Sequence, residues 1–308
     1  MARSLRALDT DGGVVEVTSR TVHGRYLLRP SLEANERVLG VLGRAQRLFP
    51  VDIFAFVFLS NHFHLLMRVS STLRMAEFTG YLKGNLAKEL GQLHDWDEKF
   101  WGRRYHSASV ADSGEAQSKR FLYILSNGCK EGLVDSPLDW PGVSSAPVLY
   151  RGETSLEGTW YDRTAQCRAR LRGQRKLFPS VETVHISPLP FLEGLTAEQQ
   201  RQFLVDAVRR VEAETRERRI EHKQPALGIR GVLDQHPHGK PEQFVRSPAP
   251  RFHAASFEEL QQMKAARELM TAAYRDAAER LRRGDENVRF PAGCFPPPPP
   301  FVQTRAPP

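Results

Sequence analysis

Two short apolar runs, Val51–Leu59 and Phe63–Val69, face each other across the pair Ser60-Asn61. Turn-forming residues between segments rich in Val, Ile and Phe are the signature of a β-hairpin. The segments around it decide what kind of sheet that hairpin joins. Residues 14–22 are β-branched and partly alternating, which predicts a strand. From Ser31 to Leu48, apolar residues at Leu32, Val38, Leu39, Val41, Leu42, Ala45 and Leu48 recur at helical spacing, with Ser31 as N-cap and Pro50 as stop. After the hairpin come a helical stretch over 72–94, a short strand over 105–111 and a helix over 115–129, ended by glycine signals at Gly128 and Gly132. The order strand, helix, strand, strand, helix, strand, helix predicts an α+β fold, an antiparallel sheet backed by helices.

Beyond Val134 the texture changes. Pro137, Pro141 and Pro147 close the first unit, and residues 163–176 hold six basic residues and no acid. A long charged helix is expected over 196–223, opened by Thr196 and Gln199 at capping-box spacing. A Pro/Gly/His-rich linker spans about 224–255, and another helix about 256–283. Five consecutive prolines, Pro296–Pro300, predict an extended or disordered tail. The expected organisation is therefore a first unit over 1–150, a basic and mainly helical extension over 151–290, and a Pro-rich tail over 291–308.

Charge and cysteine usage narrow the partners. The net charge is +8. Residues 1–150 carry 18 Lys and Arg against 16 Asp and Glu, and residues 151–308 carry 26 against 20, so the excess is +2 in the first part and +6 in the second. A basic surface favours polyanions, nucleic acid first. Three widely separated cysteines, Cys129, Cys167 and Cys294, offer neither a disulfide framework nor a CxxC metal site. No apolar run is long enough to span a bilayer and the first dozen residues lack a signal-like stretch, so the expectation is a cytoplasmic protein with no membrane partner.

His62 and His64 flank Phe63 at the start of the second hairpin strand. Residues two apart on a strand project to one face, so both imidazoles converge while Phe63 turns away. Such a pair can hold a divalent cation; the triplet alone also fits two half-buried histidines. In the 115–129 helix, Phe121, Leu122, Ile124, Leu125 and Cys129 gather on one side, and Tyr123 and Asn127 fall on the other with Lys119, Arg120 and Lys130. A phenol on a basic face, one turn from an amide, fits a nucleophile beside a metal site; the helix alone leaves open an ordinary surface aromatic. Tyr105, in Gly102-Arg103-Arg104-Tyr105-His106, is the second candidate.

Taken together, these blocks resemble the HUH single-tyrosine transposases, and within them the REP-associated tyrosine transposases. Leu59-Ser60-Asn61-His62-Phe63-His64-Leu65-Leu66 is similar to the family's MPNHxHLL block, and Val17-Thr18-Ser19-Arg20 to its first-strand HVTxR block. The segment Tyr123–Val134 resembles its YIxxNPVxAGLV region, and Trp140–Ser145 its trailing WSS element. Ser60 stands where the family carries proline, and Gly128-Cys129 where it carries Pro-Val. The resemblance covers about residues 2–147. It implies a ferredoxin-like sheet, His62, His64 and Asn127 as ligands of Mg²⁺ or Mn²⁺, and Tyr123 as the nucleophile that nicks single-stranded or hairpin DNA through a 5′-phosphotyrosine and then transfers the strand. Arg103, Arg104, Lys119, Arg120 and Lys130 are the expected phosphate contacts of that unit. Arg168, Arg170 and Arg172 are the expected contacts of an auxiliary segment. Both homodimers and monomers occur in such a family. Competing readings are a relaxase or replication initiator, a non-catalytic DNA-binding descendant of a transposase, and a nuclease that uses water in place of tyrosine.

Overall fold

The computed structural model describes residues 12–242, 250–285 and 287–297. The first unit runs β1 (Gly13–Arg20), α1 (Leu32–Leu48), β2 (Asp52–Leu59), β3 (His62–Val69), α2 (Thr72–Leu93) and β4 (His106–Val110). It continues through α3 (Gly114–Leu125), α4 (Asn127–Lys130) and α5 (Ala146–Tyr150). The remainder is β5 (Ser155–Tyr161), α6 (Arg163–Leu171), β6 (Pro179–His185), α7 (Ala197–His222), α8 (Gly228–Leu233), β7 (Phe252–His253) and α9 (Phe257–Arg282). The sheet order is β2-β3-β1-β4-β7, antiparallel throughout except for the last pair. Its first four strands with α1 and α2 form the ferredoxin-like β-α-β-β-α-β arrangement expected from the sequence.

Local chemistry accounts for the boundaries. The Ser31 hydroxyl accepts from the Ala34 N–H and caps α1, and Ser71 and Ser113 cap α2 and α3 in the same way. The two split crossovers, β1-α1-β2 and β3-α2-β4, are each expected to be right-handed, which puts α1 and α2 on one face of the sheet. β2 and β3 are nonetheless buried along nearly their whole length, so the second face is covered as well. On that side lies α3, continued through Ser126 into α4. The edges are closed too. The Trp140 indole donates to the Phe58 carbonyl (3.1 Å), the Phe58 N–H to the Val143 carbonyl, and the Ser145 N–H to the Phe56 carbonyl, so residues 140–145 cover the free edge of β2. Two residues of β7 pair parallel with β4 and cover the opposite edge. Capped edges suppress pairing with other chains.

The extension contains more than helix. β5 and β6 form an antiparallel hairpin, in a stretch where the sequence showed only a basic run, and it lies against α1. Two glycines permit that approach. A Cβ at Gly40 would stand 2.1 Å from the Thr159 carbonyl oxygen, and one at Gly43 would stand 2.9 Å from that of Thr183. Glu182, buried in β6, is clamped by Arg44 (2.8 Å) and Arg47 (2.9 Å) from α1, and Arg163 of α6 reaches Glu89 of α2 (3.1 Å). α7 opens on the expected capping box of Thr196 and Gln199 and buries Ala207, Val208, Val211 and Thr215. The expected linker over 224–255 holds α8 and β7, and residues 298–308 of the proline-rich tail lie outside the described residues.

Gly40→Ala tests the seating of the hairpin. Forcing a methyl into the Thr159 backbone is expected to destabilise the protein by about 1–3 kcal/mol, as overpacking does. Gly80→Ala, in the same helix layer but with open space around its Cα, is expected to be neutral or stabilising by up to about 1 kcal/mol. Urea denaturation midpoints of the two variants measure the difference.

Candidate functional site

The face of the sheet turned toward α3 is set by strand register. Thr18 pairs with His64 and Arg20 with His62 across β1 and β3, while Val57 and Leu59 pair with the same histidines from β2. Cα partners in a ladder share a face, so His62, His64, Thr18 and Arg20 line one side, with Glu16 two residues further along β1. Phe63 faces the other way, where it packs edge-on against Trp101, whose indole donates to the Lys83 carbonyl in α2. The two imidazole centroids are 5.1 Å apart.

Each histidine is oriented through its Nδ1. That of His62 donates to the Asn61 side-chain oxygen (2.6 Å), and that of His64 to Glu16 Oε1 (2.6 Å). Oxygen partners of this kind fix the orientation of an imidazole, as they do for histidines that bind metals. Burial, then the positive fields of His64 and Arg20, push the His62 pKa down to about 3, so its ring is neutral at physiological pH. Asn127 hydrogen-bonds the His62 ring from the start of α4. It is buried, and its Nδ2 has no hydrogen-bond partner. Two imidazoles and an amide oxygen suit a divalent cation with solvent or phosphate in the remaining positions. Among the described residues, no group of three or more His, Cys, Asp or Glu forms an alternative metal cluster.

Tyr123 stands beside this pair in the same chain, its ring 5.6 Å from that of His64. The Arg120 guanidinium lies over the tyrosine ring at 3.6 Å and the Lys130 ammonium at 4.1 Å. The helical wheel separated the apolar side of α3 from this polar side correctly. The polar side, however, is turned into the protein: Asn127 is buried and Arg120 half-buried, because the helix lies between the sheet and α7, where Phe121 meets Phe203. Tyr105 packs at the margin of the core, at the entry to β4, and is not the ring beside His64.

Glu16 is the residue that the sequence reading passed over. Its buried carboxylate accepts from His64, from Arg120 (2.7 Å) and from His253 of β7 (2.9 Å). Burial alone raises a carboxyl pKa, but the hydrogen bonds from His253 and His64 and the adjacent charges outweigh it and hold Glu16 well below the usual carboxylate range. The available signal was a lone acid within the apolar strand Val14-Val15-Glu16-Val17. His253 gave no such signal, since it sits in a linker and forms a strand of two residues.

The other basic candidates divide by position. Lys119 is exposed on α3, paired with Glu115 (2.6 Å) and bonded to the Ala255 carbonyl. Arg103 and Arg104 are exposed just after Gly102, whose N–H donates to the Arg20 carbonyl, at the His62 end of the sheet. Arg168, Arg170 and Arg172 are exposed on and just after α6, which is tied to α2 through Arg163 and therefore lies on the α1–α2 side, away from Tyr123.

Residues 28–125, which carry the hairpin, α2 and the tyrosine, match the family model described as "Transposase IS200 like". Among solved structures, the chain is similar to a REP-associated tyrosine transposase bound to a REP hairpin, at 19% identity and a TM-score of 0.39, covering 47% of this chain and 82% of that one. It is also similar to a protein from Deinococcus radiodurans R1 described as a transposase, at 16% identity and a TM-score of 0.28, covering 40% and 95%. No curated protein matches the chain. No helix among the described residues is long and apolar enough to cross a membrane.

The half-buried, neutral His62 ties stability to pH. An unfolded histidine takes up a proton near pH 6.5, whereas the folded ring does so only near 3, so the unfolded chain binds more protons between those values. Stability from this residue is complete above pH 6.5 and falls as pH drops toward 3. Glu16 adds a loss in the same direction below its ordinary value of 4.5. In urea titrations at a series of pH values, His62→Gln is expected to give a shallower decline between pH 6.5 and 4.5 than the parent. An unchanged slope counts against a neutral His62 ring.

Proposed function

We propose that this IS200-like transposase, matched to its family over residues 28–125, nicks single-stranded DNA and transfers the strand through a 5′-phosphotyrosine on Tyr123. The catalytic unit is assigned to the first 150 residues. The observation that carries this reading is the convergence of Tyr123, His64, His62 and Asn127 on one face of the sheet, with Arg120 and Lys130 against the phenol ring. His62, His64 and Asn127 would hold Mg²⁺ or Mn²⁺, which supplies Lewis-acid polarisation of the scissile phosphate when bound.

The residues of the chain do the rest. Arg120 and Lys130 place positive charge where a phosphodiester must approach the phenol, and the strong field of such fixed cations favours the anionic substrate. The Tyr123 oxygen releases its proton to solvent water and attacks phosphorus. An O–P bond forms, the P–O3′ bond breaks, and the departing 3′ oxygen takes up a proton to become a hydroxyl. Attack by a second 3′-hydroxyl on the phosphotyrosine reverses these steps and joins a new strand, so bond energy is conserved without a nucleotide cofactor. Glu16 orients His64 and Arg120 from behind and acts as a positioning residue. Arg103, Arg104 and Lys119 are proposed to bind phosphates flanking the site, and Arg168, Arg170 and Arg172 to bind more distant ones.

Incubation with labelled single-stranded hairpin DNA and Mn²⁺ is expected to give a covalent protein–DNA adduct, which Tyr123→Phe abolishes while DNA binding survives. Cleavage that persists in that variant assigns the chemistry to water or Tyr105, and binding without any adduct assigns the chain a non-catalytic role. Replacing Arg168, Arg170 and Arg172 together by Ala is expected to weaken binding across all sequences and to reduce the slope of log K against log salt by up to about 3. The adduct-forming rate at saturating DNA should stay at the parental value; single-turnover assays measure it.

A further inference from the structure

Beside Tyr123, on the side away from His62, the structure holds an open cavity of about 520 Å³. Its walls come from two parts of the chain that the sequence separates widely. Lys119, Arg120, Tyr123 and Lys130 belong to the tyrosine helix and its continuation; Arg210 comes from α7; Phe252 and Phe257 come from β7 and the start of α9. The second group lies wholly outside residues 28–125, the segment that matches the family. This volume falls in the range of ligand pockets, about 300–1,000 Å³.

The chemistry of the walls is specific. Four cations line the cavity against one carboxylate, Glu214, and that carboxylate is paired with Arg210 (2.8 Å). Lys130 has no ion pair among the described residues and is exposed. Lys119 and Arg120 are paired with Glu115 and Glu16, so Lys130 carries the uncompensated charge, which favours an anionic occupant. The aromatic rings select which anion. Phe257 is 75% exposed on the first turn of α9, where its ring is open to a ligand, and Phe252 is half-buried nearby. A flat apolar ring beside ammonium and guanidinium groups suits a ligand with both a π-face and phosphates. In a duplex the faces of the bases are already stacked on one another, so only an unpaired nucleotide offers its face to a side chain.

We propose that this cavity is a subsite for an unpaired nucleotide adjoining the phosphate that Tyr123 attacks, its base stacked on Phe257 and its phosphates held by Lys119, Lys130 and Arg210. The inference rests on the nicking reading for the position of the scissile phosphate, and it deepens that reading by giving the extension a role in substrate choice. The first unit supplies the chemistry, and β7, α7 and α9 supply the selectivity for single strands. Stacking of this kind is tolerant of base identity, so the subsite reads strandedness and not sequence.

The test uses the full chain carrying Tyr123→Phe, so that no cleavage intervenes, and measures binding alone. A short single strand with 2-aminopurine at successive positions is titrated by fluorescence, alongside a blunt duplex of the same sequence. The parent is expected to bind the single strand more tightly and to change the emission of 2-aminopurine at one position above the others. Adding Phe257→Ala, an exposed position whose fold is checked by circular dichroism, should weaken single-strand binding by about fivefold to a hundredfold and remove that positional signal. Duplex affinity should stay within about twofold of the parent, as expected for backbone contacts alone. Equal single-strand affinity with and without Phe257, or no binding to the single strand, overturns the proposal. A Phe257→Ala chain with Tyr123 intact that forms the adduct normally, with unchanged preference for single strands, overturns the subsite and leaves the nicking reading standing. Loss of the adduct from the unmodified chain, with Phe257-dependent binding retained, does the reverse.

Discussion

A buried carboxylate, Glu16, is the constraint on which the site depends. An ionised acid removed from water carries a desolvation penalty of several kcal/mol, and it is tolerated only when charged or polar partners surround it. Here the partners come from three separate elements: His64 from β3, Arg120 from α3 and His253 from β7. Because the same two oxygens serve all three, the orientation of His64, the guanidinium over the tyrosine and the docking of a distant strand are linked through one group. Removing any one of them leaves the others with an uncompensated charge, which is why such a cluster enforces a single arrangement.

The rest of the fold presents that cluster. A ferredoxin-like sheet gives α1 and α2 one face and leaves the other for α3, so the histidines of β3 and the tyrosine of α3 meet across the sheet–helix interface. The edges matter equally. Residues 140–145 bond to β2 on one side and β7 bonds to β4 on the other, and the second of these caps is also the one that delivers His253.

The extension thus acts in two places. The β5–β6 hairpin thickens the helix layer through glycine contacts with α1 and the Glu182 clamp, far from the tyrosine. α7, β7 and α9 border the site itself. The basic run of α6, prominent in the sequence, belongs to the first of these regions, and the less conspicuous Phe252, His253 and Phe257 belong to the second.

Local pattern determined a good deal by itself. The hairpin around Ser60-Asn61, the Ser31 cap, the shared face of His62 and His64 and the polar stripe bearing Tyr123 and Asn127 all follow from turn and cap residues and from periodicities of two or 3.6 residues, which a sequence displays directly. The β5–β6 strands were hidden because their stability comes from packing on Gly40 and Gly43, a contact between segments more than a hundred residues apart. Glu16 showed only as an acid in an apolar strand, and His253 showed not at all. Which partners surround a buried charge, and which distant ring closes a cavity beside a tyrosine, depend on strand order and on how the chain returns to the sheet edge. Those are properties of the assembled fold, since no local period encodes contact between residues 16, 64, 120 and 253.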